Sequence, residues 1–130
     1  DEPCIVNIPS FQDIRGSLSV VEVMKHCPFP IERVFWTYDV PSKETRGEHS
    51  HKSCSQFLIC IKGSVSVVTF EGRLKKTFKL NHCSLGLLIP PKIWSLQYEF
   101  TKDAVLLVLA SEIYDENDYI RSYEEYLNSK

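Results

Sequence analysis

Several features that mark common protein classes are missing from this sequence. No apolar run approaches the roughly 20 residues that a membrane-spanning helix needs, and the longest, Ala104 to Ala110, has the length of a strand. An excess of positive charge is also missing, because 17 acidic residues outnumber 15 basic ones and the net charge is -2. We therefore expect neither a membrane span nor a basic nucleic-acid-binding surface.

The cysteines lack the spacing of a metal or redox motif. There are five of them, and none forms a C-x-x-C pair, so a zinc ribbon and a thioredoxin-like site have no support. Apolar neighbours, as around Cys60, favour small buried side chains with reduced thiols. Because this cysteine usage suits a reducing environment, we expect a cytoplasmic protein.

Linkers, internal repeats and low-complexity segments are absent as well. Hydrophobic residues make up 43% and aromatic residues 12% of the 130 residues, which excludes a disordered chain. This length suits one domain with one core, and we expect residues 1–130 to form it.

Most of the chain has the pattern of short strands. Apolar or alternating segments are separated by turns about every 8–12 residues, which is typical of a sandwich or a barrel. The segments are Ser17 to Val23, Ile31 to Pro41, Gln56 to Ile61, Val65 to Phe70, Arg73 to Leu80, Leu85 to Ile89, Trp94 to Phe100 and Val105 to Leu109. Lys62-Gly63-Ser64, between two apolar runs, predicts a hairpin.

The C-terminal segment has a different periodicity. From Asp115 to Lys130, aromatic and aliphatic residues recur at helical spacing, and acidic residues occupy the start, as suits a helix N-terminus. We expect a helix whose aromatic stripe packs on the strands. Arg121 is expected to pair with Glu124 or Glu125 on that helix, and Arg33 is expected to be a surface residue.

The segment Arg46 to Lys52 carries two histidines at positions 49 and 51. Side chains at i and i+2 of a strand point to the same face, so His49 and His51 share one. Such a pair is typical of a metal site or an acid–base site, and the alternative is two surface or capping histidines. With an ordinary pKa near 6.5, histidine suits proton transfer at neutral pH.

The surroundings of this pair resemble the two motifs of the cupin superfamily. His49-Ser50-His51 is followed by Gln56 and Gly63, and Gly86 is followed by Pro90 and then Ser95. Gln56 stands where cupins have a glutamate ligand, and Ser95 stands where they have a histidine. Two neutral histidines without a carboxylate make a poor site for a divalent metal, which leaves the pair free for proton transfer.

A narrower resemblance covers nearly the whole chain. Together with the cupin motifs, the Arg15-Gly16 turn, Gln56 to Ser64 and the tail from Val105 to Arg121 resemble the sugar-nucleotide 3,4-ketoisomerases, a WxcM-like group of cupins. The resemblance implies an all-β jelly-roll barrel with a C-terminal helix, which forms a homodimer and uses no metal or other cofactor. It also implies a dTDP-linked 4-keto-6-deoxy sugar as substrate, within deoxyamino-sugar biosynthesis.

The same resemblance implies the catalytic roles. A base removes the proton at C3, which the C4 ketone acidifies, an enediol forms, and C4 then receives a proton. His51 is the expected base, and His49 its partner in proton delivery or orientation. Tyr38 is a candidate proton donor to the ketone or the enediol.

Candidate substrate-binding residues complete this hypothesis. Arg15, with Gly16 in its turn, Arg46 and Lys52 are candidates for the diphosphate. Gln56 can hydrogen-bond a sugar hydroxyl or fix a histidine tautomer. The aromatic residues Trp36 and Trp94 are candidates for stacking on thymine or for lining the sugar pocket.

Other functions stay open from the sequence. A 3,5-epimerase or dehydratase of nucleotide-linked keto sugars would share proton abstraction beside a carbonyl, and a non-catalytic cupin would bind a sugar or nucleotide only. A metal-dependent dioxygenase is disfavoured by Gln56 and Ser95. The sequence leaves open whether the product is the galacto or the gluco epimer at C4.

Overall fold

Two antiparallel five-stranded sheets form the body of the computed structural model, which describes residues 1–130. Sheet 1 contains, in spatial order, β1 (Cys4–Asn7), β9 (Leu85–Ile89), β6 (Gln56–Lys62), β11 (Val105–Ala110) and β4 (Arg33–Tyr38). Sheet 2 contains β12 (Tyr119–Ile120), β5 (Arg46–His51), β10 (Trp94–Tyr98), β7 (Val65–Glu71) and β8 (Leu74–Leu80). The predicted all-β jelly roll with a C-terminal helix is confirmed, and none of the helices is long and apolar enough to span a membrane.

The remaining two strands form a separate hairpin. β2 (Ser10–Asp13) pairs only with β3 (Gly16–Ser19), and this two-stranded unit belongs to neither large sheet. Phe11, Ile14 and Leu18 are exposed on it. The strand predicted from Ser17 to Val23 is therefore correct only at its start.

The main core lies between the two sheets. Residues of even number on β6, such as Leu58 and Cys60, pack with Val65 and Val67 of β7. Odd-numbered residues of β6, such as Phe57, point to the opposite face and form a second cluster. Alternation along the strand therefore decides which side chains enter the space between the sheets, here called the inner face.

The predicted hairpin between β6 and β7 is wrong. β6 pairs with β9 and β11, whereas β7 pairs with β8 and β10, so the chain crosses from one sheet to the other at Gly63. Both strands are strongly apolar because each packs against the opposite sheet. A local turn pattern cannot distinguish this crossing from a hairpin.

The predicted C-terminal helix is shorter than expected. A 3-10 turn at Glu116–Asp118 is followed by β12, and the helix α1 begins at Tyr123 and ends at Asn128. Two separate caps explain the break, because the Asp115 side chain accepts a hydrogen bond from the Asn117 N–H and Ser122 accepts one from the Glu125 N–H. The expected packing of aromatic residues on the strands is confirmed at Tyr126, which is buried in a cluster with Trp94 and Ile120.

Two glycines with the same backbone region provide a matched test of the sheet crossing. Gly63 and Gly72 have positive φ angles of 70° and 61°, but a Cβ at Gly63 would lie 2.8 Å from Ala104 Cα, whereas nothing lies within 4 Å at Gly72. We expect Gly72→Ala to lower the free energy of unfolding by about 1 kcal/mol and Gly63→Ala by about 2–4 kcal/mol, because crowding adds to the backbone strain. Urea unfolding measures both, and equal losses would contradict this account.

Candidate active site

The two histidines lie on the inner face of sheet 2. Ser50, between them, points the other way and lines a small pocket with Tyr126 beside α1. His49 and His51 therefore face sheet 1, and their ring centroids are 4.9 Å apart with the rings nearly perpendicular. The sequence prediction that both share one buried face is in agreement with this geometry.

A β-bulge fixes the orientation of the His49 ring. The pairing of β5 with β10 shifts between Ser95–His49 and Gln97–Arg46, where Gly47 and Glu48 both have positive φ. This distortion brings the Gly47 carbonyl oxygen 2.6 Å from His49 Nδ1. In neutral His49, Nδ1 therefore carries the proton and donates to the carbonyl, which leaves a lone pair on Nε2.

A buried carboxylate holds the His51 ring. His51 Nδ1 lies 2.8 Å from Asp118 Oδ2, and both side chains are more than 90% buried. The other carboxylate oxygen accepts a hydrogen bond from the Ser53 N–H at 2.7 Å and lies 2.9 Å from the Ser53 hydroxyl, which is equally close to Glu112. Nε2 of each histidine is buried and has no hydrogen-bond partner within the protein.

Tyr119 forms a wall against both histidines. Its ring centroid lies 4.4 Å from that of His51 and 5.0 Å from that of His49. The pairing of β12 with β5 places Tyr119 directly opposite His51. The segment before α1 thus supplies both the carboxylate and the aromatic wall of the site.

Burial lowers the pKa of both histidines. For His49 the pKa falls to about 4, because burial opposes its charge and His51 adds to the effect. Burial also lowers the pKa of His51, although Asp118 partly opposes this. Burial alone would raise the pKa of Asp118, but hydrogen bonds from His51 and Ser53 outweigh it and the pKa is lowered. At neutral pH the site therefore contains two neutral imidazoles and one carboxylate.

A cationic group faces the histidines from sheet 1. Arg33 and Gln56 are the two cross-strand partners of Ala110, whose side chain lies on the inner face. Arg33 has no ion pair with a carboxylate, and its buried Nε has no hydrogen-bond partner. The expectation that Arg33 is a simple surface residue is wrong, because its side chain is half-buried on the inner face and its guanidinium lies over the rings of Phe35 and Tyr114.

A second arginine lies against the aromatic wall of the site. Arg121 donates to both carboxylate oxygens of Glu116, at 2.8 and 3.0 Å, and Tyr114 donates to the same carboxylate. The Arg121 guanidinium lowers the pKa of Glu116 to about 2. Its expected pairing with Glu124 or Glu125 is wrong, because Arg121 lies before α1 and its guanidinium stacks over the Tyr119 ring.

Three residues of the sequence hypothesis share the inner faces with the histidines. Ser95 is the cross-strand partner of His49, as its place in the cupin motif suggests. Gln56 is buried on the facing sheet but makes no hydrogen bond to either histidine. The bulge pairs Arg46 with Gln97, whose parity matches that of Ser95, so Arg46 occupies the same face of the sheet and is exposed.

The structure does not bring the aromatic candidates to the histidines. Trp36 and Tyr38 are 58% and 59% exposed on the outer face of β4, opposite to Phe35, which packs in the core. Within one chain the structure therefore keeps Tyr38 and Trp36 apart from the histidines, and their roles as proton donor and as a wall of the site remain predictions. Trp94 is misassigned, because it adjoins Ser95 on β10, faces away from His49 and packs against Tyr126.

The candidate diphosphate ligands remain predictions. Arg15 and Gly16 lie at the tip of the separate hairpin, where the Arg15 side chain is 85% exposed and pairs with Asp13. Neither forms a hydrogen bond to the strand that carries the histidines. Lys52 follows His51 directly, and its backbone N–H donates to the Asp118 carbonyl oxygen, so its exposed side chain lies beside the site.

Sequence reasoning missed Asp118 and Tyr119 as site residues. Both lie within a segment that resembles the family, but the periodicity of that segment predicts an ordinary helix. The one available signal is that Asp118 is an acidic residue directly before the apolar pair Tyr119-Ile120. Its spacing gives no connection with His51, which lies 67 residues earlier.

One group of side chains has the composition of a metal site. The potential ligand atoms of His51, Cys54 and Asp118 lie within 4.8 Å of one another. His51 Nδ1 and Asp118 Oδ2 are already joined by a hydrogen bond, and Ser53 occupies the other carboxylate oxygen. These donors do not fit a metal without breaking that network, and catalysis without a metal remains a prediction.

Comparison with known proteins gives a consistent family. The protein-family model FdtA, described as WxcM-like, C-terminal, matches residues 1–130. The TDP-4-oxo-6-deoxy-alpha-D-glucose-3,4-oxoisomerase of Aneurinibacillus thermoaerophilus is 38% identical over 122 residues, which are 94% of this chain and 88% of that relative.

Solved structures with the same architecture include two ketoisomerases. The chain is similar to a 3,4-ketoisomerase from Helicobacter canadensis, with 41% identity, a TM-score of 0.95, and coverage of 98% of this chain and 96% of that one. It is also similar to a histidine-to-asparagine mutant of the 3,4-ketoisomerase QdtA from Thermoanaerobacterium thermosaccharolyticum, in complex with TDP-4-keto-6-deoxyglucose. That pair has 40% identity, a TM-score of 0.95, and coverage of 98% and 93%.

The depressed pKa of His49 predicts a pH dependence of stability. Its pKa is about 4 in the folded protein and near 6.5 when unfolded, so between these values the unfolded state binds more protons. The free energy of unfolding therefore falls as the pH is lowered from about 6.5 to 4, and His51 acts in the same direction. Urea unfolding should show a smaller fall in His49→Gln than in wild type or in His82→Gln, an exposed control. An equal fall in all three would contradict the assignment.

Proposed function

The chain belongs to the FdtA family of WxcM-like, C-terminal domains, and from this premise we propose that it is a sugar-nucleotide 3,4-ketoisomerase. Its substrate is dTDP-4-keto-6-deoxyglucose, and its product is a dTDP-3-keto-6-deoxyhexose. The observation that carries the proposal is the pair of neutral histidines whose buried Nε2 atoms share one face. Two proton acceptors side by side are what an enediol reaction needs.

The reaction moves a carbonyl between adjacent carbons without an external oxidant. His51 Nε2 removes the proton from C3, the C–H electron pair forms a C3–C4 double bond, and the C4 ketone becomes an enediolate. Protonated His51 then returns a proton to C4, and the C3 hydroxyl becomes the new ketone as its own proton moves to the C4 oxygen. The electrons stay within the sugar, so the balanced reaction requires no redox cofactor.

His49 suits the proton that moves between the two oxygens. Its Nδ1–H is held by the Gly47 carbonyl, so Nε2 accepts hydrogen from the C3 hydroxyl and passes it to the C4 oxygen. A low pKa favours this role, because a neutral imidazole is the form that must be present at the start. The unneutralised Arg33 on the facing sheet stabilises the negative charge that develops on the enediolate.

The substrate assignment draws on the similar proteins. The Aneurinibacillus relative is named for the TDP-4-oxo-6-deoxyglucose reaction, and the QdtA mutant was solved with TDP-4-keto-6-deoxyglucose. Arg46 and Lys52 flank the histidines along the chain and are proposed to meet the diphosphate of such a substrate. All five cysteines are free thiols, which is consistent with the proposed location in the reducing cytoplasm.

We also propose that the protein is a homodimer. β4 is an unprotected edge strand whose outer face exposes Val34, Trp36 and Tyr38. An apolar groove of about 330 Å³ continues along this face of sheet 1 past Ile61 and Leu107. A contiguous apolar surface next to a free strand edge is best covered by a second copy in a symmetric contact.

Product analysis in heavy water tests the proposed function. Incubation with dTDP-4-keto-6-deoxyglucose in the presence of a chelator should give a 3-keto sugar. C4 of this product carries deuterium when a second, solvent-exchanged acid delivers the proton, and it keeps the C3 hydrogen when the buried His51 returns the proton itself. A 3,5-epimerase would keep the 4-ketone and label C3 and C5, and a binding protein would give no product. Proton NMR and mass spectrometry separate these outcomes, and either of the last two would reject the proposal, as would loss of turnover in chelator.

Replacing the proposed base should remove turnover but keep the fold. We expect His51→Asn to lower kcat by about 10²–10⁴-fold, because general-base catalysis is lost while binding contacts remain. His82→Asn, in an exposed turn, is the matched control and should keep the wild-type rate. Circular dichroism and calorimetric titration with dTDP confirm folding and binding in both variants. An unchanged rate in His51→Asn would contradict the assignment.

Light scattering tests the dimer. The expected mass is about 30 kDa, twice the 15.0 kDa of the chain. Trp36→Lys should convert the dimer to a monomer, because it places a charge in the proposed interface. Leu74→Lys, at a similarly exposed position on the edge of sheet 2, should leave the dimer intact. A 15 kDa species for the wild-type protein would overturn the proposal.

A further inference from the structure

Asp118 is held in place by more bonds than its contact with His51 requires. One carboxylate oxygen accepts from His51 Nδ1, and the other accepts the Ser53 N–H and shares the single proton of the Ser53 hydroxyl with Glu112. Its backbone carbonyl also accepts the Lys52 N–H at 2.8 Å, and Tyr119 continues the pairing opposite His51. Asp118 is therefore anchored to residues 51–53, the segment that contains the histidine it orients.

This arrangement makes the two histidines chemically different. His49 donates its Nδ1 proton to a neutral carbonyl, which does little to stabilise a positive ring. His51 donates to an ionised carboxylate, which stabilises the charge that the ring acquires when Nε2 takes up a proton. The stronger base is therefore the histidine next to Asp118.

We propose that Asp118 is a positioning residue that keeps the proton of neutral His51 on Nδ1, aims Nε2 at substrate C3, and stabilises the imidazolium formed when C3 is deprotonated. The inference rests on the proposed function. Asp118 itself stays ionised throughout, and the proton that leaves C3 resides on His51 Nε2. Ser53 acts one step further out, because it orients the carboxylate.

Several charged or titratable groups face the His51 ring and contribute to its proton affinity. They are His49 on the same strand, Cys54 just after it, Arg33 on β4, Glu112 after β11, and Asp118 and Tyr119 on the segment before α1. Arg33 favours the neutral ring, whereas Asp118 and Glu112 favour the charged ring. Removing the Asp118 charge therefore lowers the proton affinity of His51.

Replacement of Asp118 by Asn tests the proposal in the full-length protein. We expect kcat to fall about 10²–10⁴-fold with KM nearly unchanged, because the amide neither stabilises the imidazolium nor enforces one tautomer. The acidic limb of the kcat/KM profile should move to lower pH, because the pKa of His51 falls when the carboxylate is lost. Asp118→Glu should recover part of kcat, and Ser53→Ala should lose less than tenfold. An unchanged kcat, or a loss in KM alone, would overturn the proposal.

A measurement on the wild-type protein keeps the inference testable if Asp118→Asn fails to fold. Nitrogen-15 NMR of the ligand-free enzyme reports which ring nitrogen carries the proton. We expect the Nδ1–H tautomer for His51, with a strongly downfield proton from the bond to Asp118, and an Nε2–H tautomer would falsify the role. This readout is independent of turnover, so it separates failure of this inference from failure of the proposed ketoisomerase activity.

Discussion

The site depends on a two-residue strand pairing at the edge of sheet 2. β12 adds Tyr119 opposite His51 and Ile120 opposite Ser50, and this short ladder delivers Asp118 to the buried side of the His51 ring. The face that points inward carries the chemistry, while the face that points outward is covered by Tyr126 of α1. The backbone hydrogen bonds between β12 and β5 therefore have three effects. They complete the edge of sheet 2, place Ile120 against α1, and bring Asp118 to the His51 ring.

The alternation of side chains along strands explains which sequence predictions succeeded. The H-x-H spacing placed His49 and His51 on one face correctly, and the cupin motif placed Ser95 beside them. The same rule rejects Trp94, because it is one residue away from Ser95 on a regular strand and so faces the opposite side. Tyr38 lies on the outer face for a similar reason, since the strand that carries it turns Phe35 and Arg33 inward.

Other features could not be predicted from the sequence alone. Whether β6 and β7 form a hairpin or cross between sheets depends on which distant strands they meet, and the Gly63 turn is compatible with both. The helix begins at a later residue than predicted because Asp115 and Ser122 each cap a separate element. The pairing of β12 with β5 lies between these two elements and divides the periodic segment. The sequence predicts a surface position for Arg33 because it does not reveal the strand register. That register pairs Arg33 with Ala110 on the inner face.

The contact between His51 and Asp118 joins positions 67 residues apart, and this separation links catalysis to folding. Closing so long a loop costs chain entropy, and the bond can form only after the intervening strands have found their partners. An excursion in which the segment from Tyr114 to α1 detaches would leave both sheets largely intact and still remove the carboxylate and the aromatic wall. Turnover would then stop at temperatures or denaturant concentrations that leave most of the strand structure in place, so activity is a more sensitive gauge of the integrity of this edge than any measure of total β-structure.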